Sequence, residues 1–160
     1  TGISLLQADF WMRISARTRY GTRLVLDMAR HYGQAPLSLT DISRRQNISL
    51  KYLEQIIAPL KRAGIVESFR GARGGHRLRR SPKEITVGEV FALLEGNTAV
   101  TDCSQDPHVC ERSQECVMRR VWMDAAGAFC DRLSGTTFED LVKTEVEIGA
   151  SPAHTEESGD

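Results

Sequence analysis

The stretch LTDISRRQNISLKYLEQIIAPLKRAGIVES, residues 39–68, decides the fold. It holds two short segments that Asn47 separates, and Thr40 and Ser49 stand where side chains that cap helices are expected. In the second segment, apolar residues at positions 53, 56, 57 and 60 recur at helical spacing. We therefore predict two short helices joined by a tight turn, which is a helix-turn-helix.

The residues that follow predict a two-stranded hairpin. Residues 65–69 and 76–80 have the character of strands, and the connection between them, RGARGG at 70–75, is rich in glycine and arginine. Glycines permit a tight turn, and the arginines would project from it. The order of helix, helix, strand, basic hairpin and strand is that of a winged helix.

Further helices are expected on both sides of this unit. We predict one over 15–32, ended by Gly33, and others over 86–95, about 114–133 and 137–148. The expected fold is mainly α with a small β-hairpin wing, followed by a long dimerisation helix. That helix carries an apolar seam suited to packing against a partner helix, formed by Met118, Val121, Trp122, Ala125, Phe129 and Leu133.

The chain divides into four expected segments. Residues 1–11 are treated as an extension outside the fold, because Met12 begins a more typical amino terminus. Residues 12–83 form the winged helix-turn-helix, and 84–148 form a sensor loop and the dimerisation helix. Residues 149–160, rich in Ser, Glu and Gly, have too little to bury and are expected to be disordered.

Charge is distributed very unevenly along the chain. Residues 12–83 hold 16 Lys and Arg against 4 Asp and Glu, whereas residues 84–160 hold 5 against 16. This division indicates that only the first half meets a polyanion, and it argues against a winged helix used for protein contacts alone. Neither a run of about 18 apolar residues nor a signal peptide is visible, so we expect a cytoplasmic protein with no membrane partner.

The second helix and the hairpin carry the candidate contacts to double-stranded DNA. A carboxylate such as Glu54 would repel phosphate, but it can accept a hydrogen bond from cytosine N4. Arg70, Arg73 and Arg77, on or beside the glycine-rich loop, suit phosphate contact and minor-groove insertion. The alternative for the helix alone is a solvated outer face, and the basic hairpin favours DNA. The candidate DNA-binding residues are Ser49, Lys51, Tyr52, Glu54, Gln55, Lys61, Arg70, Gly71, Arg73, Gly74 and Gly75.

All four cysteines lie in the second half of the chain. In a reducing cytosol, clustered cysteines are more often metal ligands or redox sensors than structural disulfides. Cys103, Cys110 and Cys116 are candidate metal ligands, and the alternative is reduced surface thiols or a pair that oxidises reversibly. Cys130 is expected to be a small core residue of the long helix. No histidine stands in a recognisable relation to a cysteine, so an enzyme with a cysteine nucleophile is not indicated.

Four segments carry a resemblance to a known family: MRISARTRYGTRLVLDMA at 12–29, the stretch at 39–68, RGARGGHRL at 70–78 and ITVGEVFALLEG at 85–96. They resemble the Rrf-type family of winged-helix transcription regulators, which includes IscR and NsrR. The resemblance implies a homodimer paired through the long helix. It also implies that Lys51, Glu54 and Gln55 face the major groove and that Arg70 enters the minor groove.

The same resemblance implies an iron–sulfur cluster, expected to be [2Fe–2S], on Cys103, Cys110 and Cys116. IscR-like members carry a histidine where this chain has Arg119, and NsrR-like members use an aspartate where it has Arg19. The fourth ligand stays open between His108, Glu111, Cys130 and the partner chain, and an easily lost cluster can be missing from purified protein. We expect a repressor controlled by this cluster; a metal-free thiol switch or a partner protein are the alternatives.

Overall fold

The computed structural model describes residues 14–96 and 101–149. The extension at 1–11 and all of the tail after residue 149 lie outside the described residues. The described part is mainly helical with one antiparallel hairpin. Its elements are α1 (Ala16–Arg30), α2 (Leu39–Gln46), α3 (Leu50–Arg62), β1 (Val66–Phe69), β2 (Gly75–Leu78), α4 (Val87–Glu95), α5 (Asp102–Gln105), α6 (Val117–Ser134) and α7 (Phe138–Glu147), with short 3-10 turns at Pro82–Glu84 and Pro107–Val109.

The helix-turn-helix is formed by α2 and α3. Ser38 caps α2 by accepting a hydrogen bond from the Thr40 amide at 3.1 Å, so the prediction of Thr40 as the cap is wrong by two residues. Asn47 ends α2 in the left-handed region with φ 50°, which asparagine tolerates better than most residues. Ser49 caps α3 through the Tyr52 amide, as predicted.

The hydrophobic core lies between α1, the helix-turn-helix and the hairpin. The predicted inward side chains of α3 are all buried, and they pack with the apolar face of α1 and with Ile42 of α2. Pro59 lies inside the last turns of α3 and is itself buried. The core residues of α1 and α3 are Leu24, Val25, Met28, Leu53, Ile56, Ile57 and Leu60.

The wing is the hairpin of β1 and β2, paired from Val66↔Leu78 to Phe69↔Gly75. Leu37 adds a short third segment, because its backbone exchanges two hydrogen bonds of 2.8 Å with His76. A Cβ atom at Gly75 would lie 2.5 Å from the Leu37 carbonyl oxygen, so this close approach requires glycine. The helix-turn-helix and the wing together confirm the predicted winged-helix fold.

The second half of the chain completes the same core. Helices α4 and α7 both pack against α1, and the Phe138 side chain is fully buried. The Phe138 amide donates to the Ile85 carbonyl at 3.0 Å, and the Val87 amide donates to the Thr136 carbonyl at 2.8 Å. These bonds fix α7 beside the start of α4, so the C-terminal helix is part of the winged-helix body.

Helix α6 begins three residues later than the sequence predicts. Residues 111–115 form turns, and Cys116 precedes the first helical residue, Val117. The sensor loop expected between the helices predicted over 86–95 and about 114–133 also contains the short helix α5, which packs against α6. Across residues 14–96 and 101–149, every helix is too short or too polar to cross a membrane.

Candidate nucleic-acid interface and cysteine segment

The outer face of α3 is polar and exposed. Lys51, Glu54 and Gln55 project from its first two turns, and Lys61 from its last, on the side opposite the core. Within the described residues, neither Lys51 nor Glu54 forms an ion pair. Their charges are therefore available to an external partner.

Tyr52 has a different role from its neighbours on α3. Its half-buried ring meets the Tyr20 ring edge-on, with centroids 5.8 Å apart. The guanidinium groups of Arg19 and Arg23 lie 5.6 and 5.9 Å from the Tyr20 centroid. Tyr20 is absent from the residues predicted from sequence. Its position between two arginines on α1 is the signal that could have identified it, but the contact with Tyr52 depends on how α1 crosses α3.

The tip of the wing presents two unpaired arginines. Arg70 and Arg73 are exposed, and neither has a carboxylate partner in the part of the chain that the structure describes. The turn closes through a 2.9 Å hydrogen bond from the Gly74 amide to the Gly71 carbonyl. A Cβ atom at Gly74 would collide with the Phe69 carbonyl oxygen, so the turn requires glycine there.

The charged side chains on the two strands of the wing pair with each other. Arg77 Nε donates to Glu67 Oε1 at 2.8 Å, and the Arg77 guanidinium stacks 4.4 Å from the centroid of Phe69. Burial lowers the pKa of His76, and the nearby Lys61 lowers it further. His76 is therefore protonated less readily than an exposed histidine. The positive charge that the wing offers to a partner comes mainly from Arg70 and Arg73.

The three candidate metal ligands lie on one segment but are not gathered into one group. Cys103 is in α5, Cys110 follows a 3-10 turn, and Cys116 directly precedes α6; each thiol is free and half-buried. Among residues 14–96 and 101–149, no three His, Cys, Asp or Glu side chains are close enough together to hold a metal. The Cys103 sulfur instead lies 3.3 Å from the Thr101 hydroxyl.

Four further residues bear on a fourth ligand: Arg119, His108, Glu111 and Cys130. Arg119 Nε donates to the Cys103 carbonyl at 2.8 Å, which ties α5 to α6. His108 and Glu111 are exposed. Cys130 is exposed as well, so its assignment to the core is wrong. The reason is that α6 is only partly covered: within the described residues its main contacts are with α4 and α5, and none of its residues is fully buried there.

The apolar seam of α6 is divided between two environments. Near its C-terminal end, the Phe129 ring packs edge-on against Phe91 of α4, with centroids 5.3 Å apart. Nearer its N-terminal end, Met118, Val121 and Trp122 are 51%, 49% and 38% exposed. Large apolar side chains exposed in one contiguous patch are typical of a protein–protein interface.

The sequence of this chain matches one family of proteins. The family model described as "Rrf2: Iron-dependent Transcriptional regulator" matches residues 14–144. The protein named rrf2 from Nitratidesulfovibrio vulgaris is 40% identical over 132 residues, which cover 82% of this chain and 88% of that protein.

Two solved structures extend the similarity to the fold. IscR from T. potens has a TM-score of 0.72 and 35% identity, and the match covers 90% of this chain and 94% of IscR. The oxidized form of CymR from Staphylococcus aureus has a TM-score of 0.67 and 36% identity, with 82% of this chain and 97% of CymR covered.

Proposed function

The chain belongs to the Rrf2 family of transcriptional regulators, and from that premise we propose that it binds duplex DNA as a cytoplasmic homodimer under the control of its cysteines. The family consists of regulators and not of enzymes. The observation that carries the proposal is the pairing of an exposed polar face on α3 with two unpaired arginines at the wing tip. We propose repression as the regulatory outcome.

In the proposed complex, α3 lies in the major groove and the wing lies over the adjacent minor groove. Lys51, Glu54 and Gln55 reach base edges from the N-terminal turns of α3, which is where recognition helices read sequence. Ser49, Tyr52 and Lys61 meet the backbone. The narrow minor groove attracts guanidinium groups, so Arg70 enters it and Arg73 contacts phosphate. Gly71, whose Cβ position is open, lets the wing backbone approach the DNA closely, and Gly74 and Gly75 permit the turn that presents it.

The dimer is proposed to form through α6. In a symmetric dimer each protomer would contribute the exposed apolar patch of Met118, Val121 and Trp122. An interface formed by the same patch on both protomers is an isologous interface. Burying a side chain of this size stabilises association by about 1.5–3 kcal/mol. Two recognition helices held by one interface read two half-sites, which a single chain cannot do.

Control is proposed to act through an iron–sulfur cluster held by Cys103, Cys110 and Cys116. Three free thiols between α5 and the start of α6 fit the chemistry of such a cluster, because iron in these centres prefers thiolate ligands. When bound, the cluster would supply a redox-sensitive centre. The chain's own part is to order residues 101–116 against α6, since Arg119 already links α5 to that helix.

A metal-free thiol switch is the second candidate. The observation that favours it is that the three sulfurs are not gathered into one group. At the position that IscR-like members fill with a histidine, Arg119 donates to the Cys103 carbonyl. Half-buried free thiols can be oxidised, and a similar CymR has been solved in an oxidized form. Control by a partner protein stays a third alternative.

Substituting Glu54 with alanine tests the assignment of the recognition helix. If the Glu54 carboxylate accepts from a cytosine amino group, its loss should change preference at one base pair in each half-site by about 1–3 kcal/mol. The measurement is selection of binding duplexes from a random library by wild type and by Glu54→Ala. If Glu54→Ala had the same base preference as wild type, α3 would not be the helix that reads the DNA sequence.

Arg70→Ala is the matched comparison, because Arg70 is proposed to enter the minor groove, where its charge is attracted by the phosphates of both strands and it does not read a single major-groove base edge. It should weaken binding to selected and unselected duplexes alike. Removing a positive charge that lies close to the phosphates should also make the plot of log affinity against log salt less steep, by up to about 0.9 in the magnitude of its slope. A base-specific defect in Arg70→Ala would contradict the proposed division of roles between wing and helix.

A further inference from the structure

A cavity of about 540 Å³ lies where α1, α2 and α7 meet. Its lining includes the three arginines Arg23, Arg30 and Arg45 and the two carboxylates Asp27 and Glu145. Cavities that bind small molecules in proteins range from about 300 to 1,000 Å³. The volume therefore suits a ligand of metabolite size.

Both carboxylates in the cavity already have arginine partners. The Asp27 side chain is only 2% exposed, and its Oδ2 accepts from Arg45 Nη2 at 2.8 Å. Its Oδ1 lies 3.6 Å from Arg30 Nη1. Arg30 also forms a two-bond pair with Glu145, and this pairing raises the pKa of Arg30. A buried carboxylate needs such compensation, so these pairs explain Arg30 and Arg45.

Arg23 lines the same cavity, but its hydrogen bonds go to Gln46 and not to either of these carboxylates. Its Nε and Nη2 donate to the side-chain oxygen and the carbonyl oxygen of Gln46, at 3.1 and 2.8 Å, and both acceptors are neutral. Apart from His31, whose Nδ1 lies 2.8 Å from the Asp27 carbonyl oxygen, the described residues that line the cavity supply three guanidinium groups and two carboxylates, which is an excess of one positive charge. A guanidinium has five N–H donors, and Arg23 and Arg45 each use only two within the described residues.

We propose that this cavity binds a small organic monoanion through its carboxylate, held between Arg23 and Arg45. A planar carboxylate matches the fork of a guanidinium group, and one negative charge completes the charge balance of the cavity. The ligand would also compete with Glu145 for the cationic lining.

The position of the cavity connects the ligand to the DNA-reading unit. Arg45 belongs to α2, which packs against the recognition helix α3, and Glu145 belongs to α7. A ligand that shifts α2 relative to α1 would change DNA affinity, and DNA would change ligand affinity by the same factor. This consequence rests on the proposed function, whereas ligand binding itself does not.

The test measures thermal unfolding without DNA, at constant ionic strength, as sodium lactate or sodium acetate replaces sodium chloride. We expect a saturable rise in Tm with the carboxylates. Arg23→Gln should weaken the apparent affinity at least tenfold, because it removes the unpaired charge and spares the Asp27 and Glu145 pairs. Arg17→Gln, an exposed substitution on the same helix outside the cavity, should behave as wild type.

Three results would overturn the proposal. The first is the absence of a saturable rise with either carboxylate, and the second is an Arg23→Gln variant that binds as wild type does. The third is a larger rise with inorganic phosphate than with lactate, because it would assign the cavity to phosphate. Since DNA is absent from the assay, none of these results depends on whether the chain regulates transcription.

Discussion

Replacing Trp122 with glutamate should convert the proposed dimer into monomers and abolish specific DNA binding. Trp122 lies in the exposed apolar patch of α6, and a symmetric interface would bury two glutamates close together. Specific sites are bound about a thousandfold or more tightly than non-specific DNA, and a monomer that reads one half-site should lose most of that advantage. Sedimentation and titration with a selected duplex would measure the two effects.

A second substitution on α6 controls for damage to the helix itself. Arg120→Glu introduces the same side chain at an exposed position outside the apolar seam, so that variant should stay dimeric. Circular dichroism of both variants should match wild type. If Trp122→Glu stayed dimeric at micromolar concentration with its fold intact, the interface would have to lie elsewhere.

Anaerobic reconstitution should load iron and sulfide into wild type, and alanine at Cys103, Cys110 or Cys116 should remove nearly all of it. Cys130→Ala should load as wild type does. The reason is distance: α6 is unbroken from Val117 to Ser134, so Cys130 lies about 20 Å along the helix from Cys116. Iron and sulfide content per protomer is the measurement, with the visible absorption spectrum as an independent readout.

The outcomes separate the two modes of control. Equal loading of all single variants would exclude the three thiols as a joint ligand set. If wild type also held no iron, the thiol switch would replace the cluster, and oxidation by peroxide should then change DNA affinity without metal. A thiol switch predicts that the change disappears when the three cysteines are replaced together.

Local signals made the winged helix predictable from sequence. Asn47 and Ser49 mark the turn and the cap, and the helical spacing of the apolar residues in α3 gives its buried face. Glycines at the wing tip meet steric demands of the backbone that no other residue meets. In each case the residues responsible lie within a few positions of the turn, cap, buried face or wing tip that they determine, so a local sequence pattern is enough to predict it.

Features that depend on distant contacts were not predictable in the same way. The burial of Phe138 requires α7 to return to α1 and Ile85, and nothing near Phe138 in sequence indicates this. The exposure of Cys130 follows from how little of α6 the chain covers. The ion pairs of Asp27 and Arg30 join residues from three helices, and Arg30 and its partner Glu145 are 115 positions apart.

The most direct test of the central claim, a dimeric regulator that reads DNA through α3, is selection of duplexes from a random library by wild-type protein. We expect enrichment of a two-fold symmetric sequence whose half-sites are about 10 base pairs, or a multiple of that, apart. Its affinity should fall steeply with salt. Recovery of no enriched sequence, or of a single asymmetric site bound by one chain, would contradict the account.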